Sequence, residues 1–273
     1  MIIHPNAKIN LGLNIVEKRP DGYHNLETIF YPIPLKDTIE ITPSDSSCDY
    51  TLISEGITIA GNQEDNLVVK ALKNLKKDHA IPPIEIRMQK RIPTGAGLGG
   101  GSSDAAYMIR ALNDMFQLKL DNEEMEKRAS ELGADCAFFI CNQPTFARGT
   151  GNIFTPISLS LNRFWLVLVK PDTFISTKEA FSNITPQKPA YSLLDIAASP
   201  IETWKEKMVN DFEKNIFKNH PEIARIKTVL YQLGAVYASM SGSGSSVFGL
   251  FRNKPEKDPA EFGSSFVFQA QLE

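Results

Sequence analysis

The sequence predicts an α+β protein, because strand-like and helix-like segments alternate irregularly rather than in the strict order of a doubly wound sheet. Two observations carry this prediction. Residues 6–15 alternate between apolar and polar side chains, as one strand does. After a glycine-rich loop at residues 93–103, apolar side chains recur at helical spacing through residue 116. The length of 273 residues allows one large domain or two modest ones.

The first half of the chain contains most of the recognisable elements. Strands are predicted at residues 6–15, 37–42, 50–53 and 84–91, and the Asp21-Gly22 pair predicts a turn after the first of them. Helices are predicted at residues 65–77, from the glycine loop to residue 116 with Ser102 or Ser103 as its cap, and at residues 123–132. The polar, glycine-rich stretch near residues 147–151 predicts a domain boundary, which divides the chain into residues 1–152 and 153–273.

The second half continues with strands and helices in irregular order. Strands are predicted at residues 164–169, 235–240 and 247–251. Helical segments are predicted at residues 176–181, 201–217 and 222–233. The last two strands flank a second loop of small residues, 241–246, which is either a mobile hairpin tip or part of a phosphate site.

Bulk composition excludes several classes of protein. A formal net charge of −3 gives no support for a nucleic-acid or membrane-surface partner. No apolar run reaches the length of a membrane span, and the first residues lack a signal-peptide pattern, so we expect a cytoplasmic protein. We also expect a monomer or weak homodimer. The three cysteines form no C-x-x-C pair, and the histidines show no metal-ligand spacing. Cys136 lies in an apolar run and is expected to be a buried thiol rather than a nucleophile.

The glycine loop is the strongest functional signal. Five of the eleven residues from 93 to 103 are glycine, although the whole chain has only 17. Such a loop before a helix lets backbone N–H groups and the positive helix end surround a phosphate. A dinucleotide fold needs an acid-tipped strand after the helix, and a P-loop needs a closing Lys-Ser or Lys-Thr, and the chain has neither. The remaining alternative is a flexible linker, but a linker is not normally followed by an amphipathic helix.

Other polar residues admit two interpretations each. Lys8 lies on the polar face of the first predicted strand and is either solvated or functional. Asp135 precedes an apolar run and is either a turn carboxylate or a general base held near apolar walls. Tyr23 and His24 are either plain surface residues or the aromatic face and polar edge of a ring-binding site.

Three motifs in order give the chain a family resemblance. The segments 5–11 (PNAKINL), 93–106 and 240–246 together resemble the superfamily of galactokinase, homoserine kinase, mevalonate kinase and phosphomevalonate kinase, over essentially the whole chain. Within that superfamily, the Asp21-Gly22-Tyr23-His24 turn and the segment 133–135 look most like the branch whose acceptor is a cytidine-diphosphate-linked methylerythritol of the non-mevalonate isoprenoid route.

The resemblance implies a fold and a set of roles. It implies an N-terminal domain of ribosomal-protein-S5-like topology and a ferredoxin-like C-terminal domain. It also implies ATP as the phosphoryl donor, with Mg²⁺ bound to the ATP. It implies Asp135 as general base, Lys8 as the cation beside it, and Asn66 and Lys90 near adenine. It places acceptor contacts at Asn10, Tyr23, His24, Phe181, Ser241, Gly242 and Ser243. ATP phosphates would be held by Pro93, Thr94, Gly95, Ala96, Gly97, Leu98, Gly99, Gly100, Gly101, Ser102 and Ser103.

Two departures and two alternatives accompany this resemblance. Relatives usually carry a branched aliphatic residue and a proline after the catalytic aspartate, where this chain has Cys136-Ala137, and tyrosine often stands at the position of Phe181. The Mg²⁺ ligands cannot be identified from the sequence, because phosphates and water supply most ligands of this ion. The alternatives are a sibling kinase for mevalonate, homoserine or a sugar, and a nucleotide-binding regulator without chemistry.

Overall fold

Twelve strands in three four-stranded sheets, with eight α-helices, make up this computed structural model, which describes residues 1–59, 61–182, 184–256 and 259–273. The strands are β1 (Ile2–Ile3), β2 (Asn6–Lys18), β3 (His24–Lys36), β4 (Thr38–Pro43), β5 (Tyr50–Gly56), β6 (Ile84–Lys90), β7 (Thr145–Arg148), β8 (Ile153–Pro156), β9 (Trp165–Lys170), β10 (Tyr237–Met240), β11 (Val247–Phe251) and β12 (Phe266–Gln271).

The α-helices are α1 (Leu67–Lys76), α2 (Gly100–Phe116), α3 (Asn122–Ser130), α4 (Phe138–Cys141), α5 (Thr177–Phe181), α6 (Leu193–Ala197), α7 (Phe212–Asn219) and α8 (Pro221–Gln232). Short 3₁₀ helices lie at Gln63–Asp65, Ile201–Thr203 and Pro259–Phe262. The mixture of helix and strand confirms the predicted α+β class.

The chain forms two compact units, each assembled from separate segments. The first unit contains Met1–Ala7, Leu35–Thr94 and Gly99–Gln143, and the second contains Lys8–Pro34, Gly95–Leu98 and Pro144–Glu273. The predicted division into residues 1–152 and 153–273 gives each domain one continuous segment, and it stays a prediction.

The first unit contains the sheet of order β1-β4-β6-β5 together with α1 to α4. β4 pairs antiparallel with β6, and β5 pairs parallel with β6. The apolar face of α1 is fully buried at Val68, Val69, Leu72 and Leu75 because these residues recur at helical spacing. Strand β6 ends at Lys90 and leads directly into the glycine loop, as predicted.

The second unit contains the antiparallel sheet of order β10-β11-β9-β12 and most of the sheet β2-β3-β7-β8. Its core joins residues of β9, β10 and β11 to apolar residues of α7 and α8, among them Ile216, Ile223 and Leu230. These side chains are buried because the apolar sides of α7 and α8 pack against the apolar face of the sheet.

Two local predictions need correction, and several elements were not predicted. Strand β2 is buried on both faces from Asn6 to Leu13, so its polar face is not solvated. The helix predicted at residues 201–217 is a 3₁₀ turn followed by α7, and it is interrupted where Asn210 pairs with Leu13 of β2. The sequence patterns predict no element at β3, α4, α6, β7, β8 or β12, and two of these strands are held by partners distant in the chain, since β7 pairs with β3 and β12 pairs with β9.

Candidate active site

Lys8 is a buried lysine on β2 in the second unit, with 3% of its surface exposed. Its Nζ donates hydrogen bonds to Asn10 Oδ1 at 2.7 Å and to the Gly97 carbonyl at 3.1 Å. The same ammonium lies 4.8 Å from the centroid of the Phe30 ring. Burial of an ammonium is costly unless its donors are satisfied, so this orientation is strongly specified. The interpretation of Lys8 as a solvated strand residue is therefore wrong.

Asn10 is held in turn by the strand beside it. Its Nδ2 donates to Thr28 Oγ1 at 2.9 Å, and that hydroxyl donates to the Gly12 carbonyl at 2.6 Å. This chain fixes which end of the amide faces Lys8, because the oxygen must accept from the ammonium. Within the second unit the Asn10 side chain orients Lys8, and the predicted contact of Asn10 with the acceptor substrate stays a prediction. Thr28 was missed because it is 18 residues away from Asn10 on another strand.

The two small-residue loops meet within the second unit. Ser241 Oγ donates to the Gly97 carbonyl at 2.8 Å, and the Ser246 N–H donates to the Ala96 carbonyl at 3.3 Å. Gly97 has a φ of +76°, and a Cβ there would lie 1.9 Å from the Ser241 carbonyl oxygen. Only glycine permits this approach. The segment 241–246 is thus packed on the glycine loop, and it is not a mobile hairpin tip.

The side chain of Asn210 forms hydrogen bonds to the backbone at the second of these loops, residues 241–246. Its Nδ2 donates to the carbonyls of Met240 and Gly242, both at 2.8 Å, and the side chain is buried. Ser241 and Gly242 are buried as well, whereas Ser243 is partly exposed at the tip. Asn210 carried no sequence signal, because one asparagine between two helical segments matches no motif.

The helix after the glycine loop begins differently from the prediction. Its N-cap is Gly99, with a φ of +69°, and α2 starts at Gly100. Ser102 and Ser103 lie inside the first turn, so neither is the cap. The left-handed conformation at Gly99 explains the difference, since residues other than glycine rarely adopt it. Ser103 Oγ is buried and makes no hydrogen bond with the described residues.

Asn66 and Lys90, the two residues predicted near adenine, both lie in the first unit. Asn66 caps α1 by accepting from the Val68 N–H at 2.9 Å, and it lines a cavity of about 280 Å³ with Gly56 and Ile57. The Lys90 carbonyl accepts from the Ile57 N–H at 3.0 Å, so its backbone adjoins that wall. The volume is near the lower end of the usual range for small-ligand sites.

The side chain of Lys90 is engaged elsewhere. Its ammonium is ion-paired with Asp37 and with Asp104, and all three side chains are almost completely buried. Burial and the charge of Asp37 raise the pKa of Asp104 to about 7, although the Lys90 ammonium opposes this shift. The Lys90 side chain is thus part of a buried ion-pair group, and a contact with adenine through its ammonium is not supported.

Asp135 lies in a turn of the first unit, half-buried, just before α4. The neighbouring Cys136 is fully buried, and its pKa is raised to about 11 because burial disfavours the thiolate. This confirms that Cys136 is a buried thiol and excludes a thiolate nucleophile at neutral pH. Asp135 is the carboxylate of this turn, and its catalytic role stays a prediction.

The aromatic residues predicted for a nucleobase lie in the second unit. His24 stacks on Phe181, with ring centroids 4.9 Å apart and an interplanar angle of 23°, and Phe181 meets Phe212 edge-on. Tyr23 is 67% exposed. Partial burial, together with the nearby Lys18 charge, lowers the pKa of His24, so its ring is neutral at neutral pH. A neutral imidazole offers one donor and one acceptor to a partner.

Family models match both halves of the chain. Residues 66–143 match the GHMP kinases N terminal domain, and residues 193–267 match the GHMP kinases C terminal model. The chain belongs to the GHMP kinase family. It is therefore a kinase of the type whose donor is ATP, and the predicted fold class and kinase activity are confirmed.

Individual relatives of this GHMP kinase are similar over their full length. It is 56% identical to 4-diphosphocytidyl-2-C-methyl-D-erythritol kinase from Bacteroides fragilis and 55% identical to the enzyme of that name from Bacteroides thetaiotaomicron, in each case over 100% of both chains. A crystal structure of 4-(cytidine 5'-diphospho)-2C-methyl-D-erythritol kinase matches with a TM-score of 0.77 at 28% identity over 100% of both chains.

A more distant structure shares the fold alone. The mevalonate kinase of Methanococcus jannaschii matches with a TM-score of 0.72 at 17% identity, over 100% of this chain and 98% of that one. Among the described residues, no helix has the length and apolar character to cross a membrane.

Proposed function

We propose that this GHMP kinase transfers the γ-phosphoryl group of ATP to the 2-hydroxyl of 4-diphosphocytidyl-2-C-methyl-D-erythritol. The observation that carries the proposal is the full-length identity of 55–56% to relatives named for that substrate. At the site, the proposal is supported by a buried lysine whose ammonium is oriented against the carbonyl of the glycine loop.

The reaction requires positioning and charge stabilisation more than covalent catalysis. The acceptor oxygen attacks the γ-phosphorus, the bond from that phosphorus to the bridging oxygen of ADP breaks, and ADP leaves with the electron pair. Asp135 accepts the proton of the hydroxyl as general base. Lys8 stabilises the negative charge on the transferring group, and backbone N–H groups of the glycine loop, within residues 94–102, hold the ATP phosphates.

The cytidine ring is the part of the acceptor that distinguishes it from mevalonate or homoserine. We assign its recognition to Tyr23, His24 and Phe181. The pairing of His24 with Phe181 supports this assignment, because it places a neutral imidazole edge beside an aromatic face. Ser241, Gly242 and Ser243 are assigned to the remaining phosphate and hydroxyl groups.

Mg²⁺ fits this site through oxygen ligands rather than a cluster of carboxylates. Among the described residues, no group of three or more His, Cys, Asp or Glu side chains is placed to hold a metal ion. Ser103 Oγ is a buried oxygen without a hydrogen-bond partner in the described part of the chain, and it suits a hard cation that ATP oxygens and water otherwise ligate. When bound, Mg²⁺ would neutralise charge on the ATP phosphates.

The remaining expectations concern the cell. We propose a cytoplasmic location, where ATP is available, a small-molecule acceptor and no nucleic-acid partner. A monomer or weak homodimer stays a prediction.

An assay of ADP release with a panel of acceptors tests the proposed function. We expect turnover with 4-diphosphocytidyl-2-C-methyl-D-erythritol and none with mevalonate or homoserine. Loss of the base should lower turnover in Asp135→Asn by roughly 10²–10⁴-fold with little change in ATP affinity. Asp114→Asn, a like substitution at an exposed position of α2, is the matched control and should retain the activity of the parent.

Each result distinguishes a particular alternative. Turnover of mevalonate or homoserine, with no turnover of the cytidyl substrate, would show that the protein is a sibling kinase for that acceptor. ATP binding without transfer to any acceptor would indicate a non-catalytic regulator. An Asp135→Asn protein that retains full turnover would remove the general-base assignment while leaving the acceptor in place.

A further inference from the structure

A buried bridge of three charged side chains joins the two ends of the glycine loop within the first unit. Lys90 is the last residue of β6, directly before the loop, and Asp104 lies near the start of α2, directly after it. Lys90 Nζ donates to Asp104 Oδ2 at 2.5 Å and is also ion-paired with Asp37. The side chains of Lys90 and Asp104 are only 1% and 3% exposed.

Asp37 attaches the entry of the loop to the same bridge. Its Oδ1 accepts from the backbone N–H groups of Arg91 at 2.5 Å and Ile92 at 2.9 Å, while its Oδ2 receives the Lys90 ammonium. Charge-assisted hydrogen bonds of this kind are shorter and stronger than neutral ones. Asp37 therefore fixes the backbone of the first two residues after β6.

The start of α2 is packed closely against this entry. A Cβ on Gly100 would lie 2.8 Å from Ile92 Cγ2 and 3.7 Å from Lys90 Nζ. Any larger residue would push the helix away from the end of β6, because interiors are packed to crystal-like density. The glycine at this position thus permits the short distance that the ion pair spans.

Stability alone does not account for such a bridge. Two carboxyl groups share one ammonium in a buried site, and Asp104 Oδ1 has no hydrogen-bond partner among the described residues. Buried ion pairs often contribute no more than well-packed apolar residues of equal volume would. They do restrict geometry, since a displaced end leaves a buried charge unpaired.

We infer that the Asp37–Lys90–Asp104 bridge is a positioning device that sets the separation of the two ends of the glycine loop and so holds its backbone ready for ATP phosphates. The inference rests on the proposed function in that the ligand of the loop is ATP. Lys90 and the two aspartates act through the loop and are positioning residues, not catalytic ones.

Nucleotide binding measured without the acceptor tests the inference. ATP and adenosine are titrated calorimetrically into the parent, Asp104→Ala and Asp104→Asn. Because phosphate contacts depend on the loop, Asp104→Ala should weaken ATP binding by about tenfold or more while adenosine binding changes by less than about twofold. Asp104→Asn preserves the shape and one hydrogen bond, and we expect it to restore part of the ATP affinity.

Asn113→Ala is the matched control, because Asn113 lies on the same helix and its side chain bonds only to Leu120 and Met125 in the described part of the chain. It should leave the ratio of ATP to adenosine affinity at the parent value. A general loss of structure would lower the affinity for both ligands, whereas a displaced loop lowers that for ATP alone. The ratio therefore separates a positioning role from a merely structural one.

Two outcomes would overturn the inference. An Asp104→Ala protein that is folded and binds ATP within about twofold of the parent contradicts it, and if that variant does not fold, an unchanged affinity ratio in Asp104→Asn contradicts it equally. A parent that binds no ATP would overturn the proposed function and the positioning role together. A parent that binds ATP but does not phosphorylate the cytidyl substrate leaves this test intact, so the two failures are distinguishable.

Discussion

Two buried lysines of this GHMP kinase, one in each unit, contact different groups within their units. Within the second unit, the ammonium of Lys8 contacts neutral oxygens, the Asn10 amide and the Gly97 carbonyl. In the first unit, the ammonium of Lys90 lies between two carboxylates. Neutral acceptors orient a cation without cancelling its charge, whereas carboxylates compensate the charge directly.

We propose that Lys8 is the catalytic lysine and Lys90 the structural one. Lys90 precedes the glycine loop in the chain, and Lys8 contacts the carbonyl of Gly97 in that loop. Both side chains are almost completely buried. Burial by itself therefore does not distinguish the two roles. The groups that hold each ammonium do differ, because Lys8 donates to the glycine loop itself, whereas Lys90 is ion-paired with Asp37 and Asp104. The comparison makes four predictions.

The largest effect is expected at the ion-paired lysine. Lys90→Met leaves two buried carboxylates without their cation, and the free energy of unfolding should fall by about 3–5 kcal/mol. Denaturant unfolding followed by circular dichroism measures it. Lys73→Met removes an exposed partner of Glu64 and should cost less than about 1 kcal/mol. Equal losses in the two variants would contradict a buried, structural role for Lys90.

Lys8→Met should lower turnover more than it lowers stability, in contrast to Lys90→Met. Removal of one oriented cation from the transition state is expected to lower kcat by about 10²–10³-fold. The hydrogen bonds lost to the Asn10 amide and the Gly97 carbonyl are each expected to contribute about 0.5–1.5 kcal/mol to the free energy of unfolding. Steady-state kinetics and denaturant unfolding check the two parts.

Lys214→Met, at an exposed position of α7, serves as control for this substitution and should leave kcat unchanged. If Lys8→Met instead unfolded as readily as Lys90→Met while any folded fraction kept its kcat, the two lysines would share one structural role. The distinction between them would then be lost.

Asn10→Ala examines how far orientation matters. It removes the acceptor of the Lys8 ammonium and the link to Thr28, so we expect kcat to fall by about tenfold. Thr28→Val keeps Asn10 but removes the hydroxyl that accepts a hydrogen bond from the Asn10 amide. We expect a smaller fall in kcat for this variant. Steady-state kinetics on both variants should give this order. A larger loss in Thr28→Val would contradict this orienting role, because Thr28 would then affect turnover by a route other than Asn10.

Much of the fold follows from patterns in the sequence, and so does the family. Alternation in residues 6–15 predicts β2, and helical spacing predicts α1 and the body of α2, because both patterns are local. The glycine loop predicts a phosphate site for the same reason. Local patterns could not predict that β2 is buried on both faces, since that depends on what covers the strand.

The residues that position the loops of the site, Asp37 and Asn210, could not be predicted from the sequence for a related reason. Asp37 is 53 residues from Lys90, and Asn210 is 30 residues from Met240. No spacing rule links residues across such separations. The start of α2 was misplaced because Ser102 and Ser103 are good caps by type, whereas the left-handed conformation of Gly99 depends on the loop.

The smallest effect concerns the pH dependence of stability. The folded pKa of Asp104, about 7, lies above its unfolded value of 3.8. Its contribution to stability is therefore complete below about pH 4 and is lost as the pH rises towards 7. The parent should lose more unfolding free energy between about pH 5 and pH 8 than Asp104→Asn, which cannot titrate there. Parallel profiles from denaturant unfolding would show that Asp104 stays ionised throughout.

The central claim, transfer of a phosphoryl group to the cytidyl substrate, is tested most directly by identifying the product. Phosphorus NMR of a reaction that contains the protein, ATP, Mg²⁺ and 4-diphosphocytidyl-2-C-methyl-D-erythritol should show a new phosphomonoester resonance that grows in step with ADP. The diphosphate resonances of the substrate should persist. Release of inorganic phosphate with no new monoester, or a monoester formed only when mevalonate or homoserine replaces the cytidyl substrate, would contradict the account.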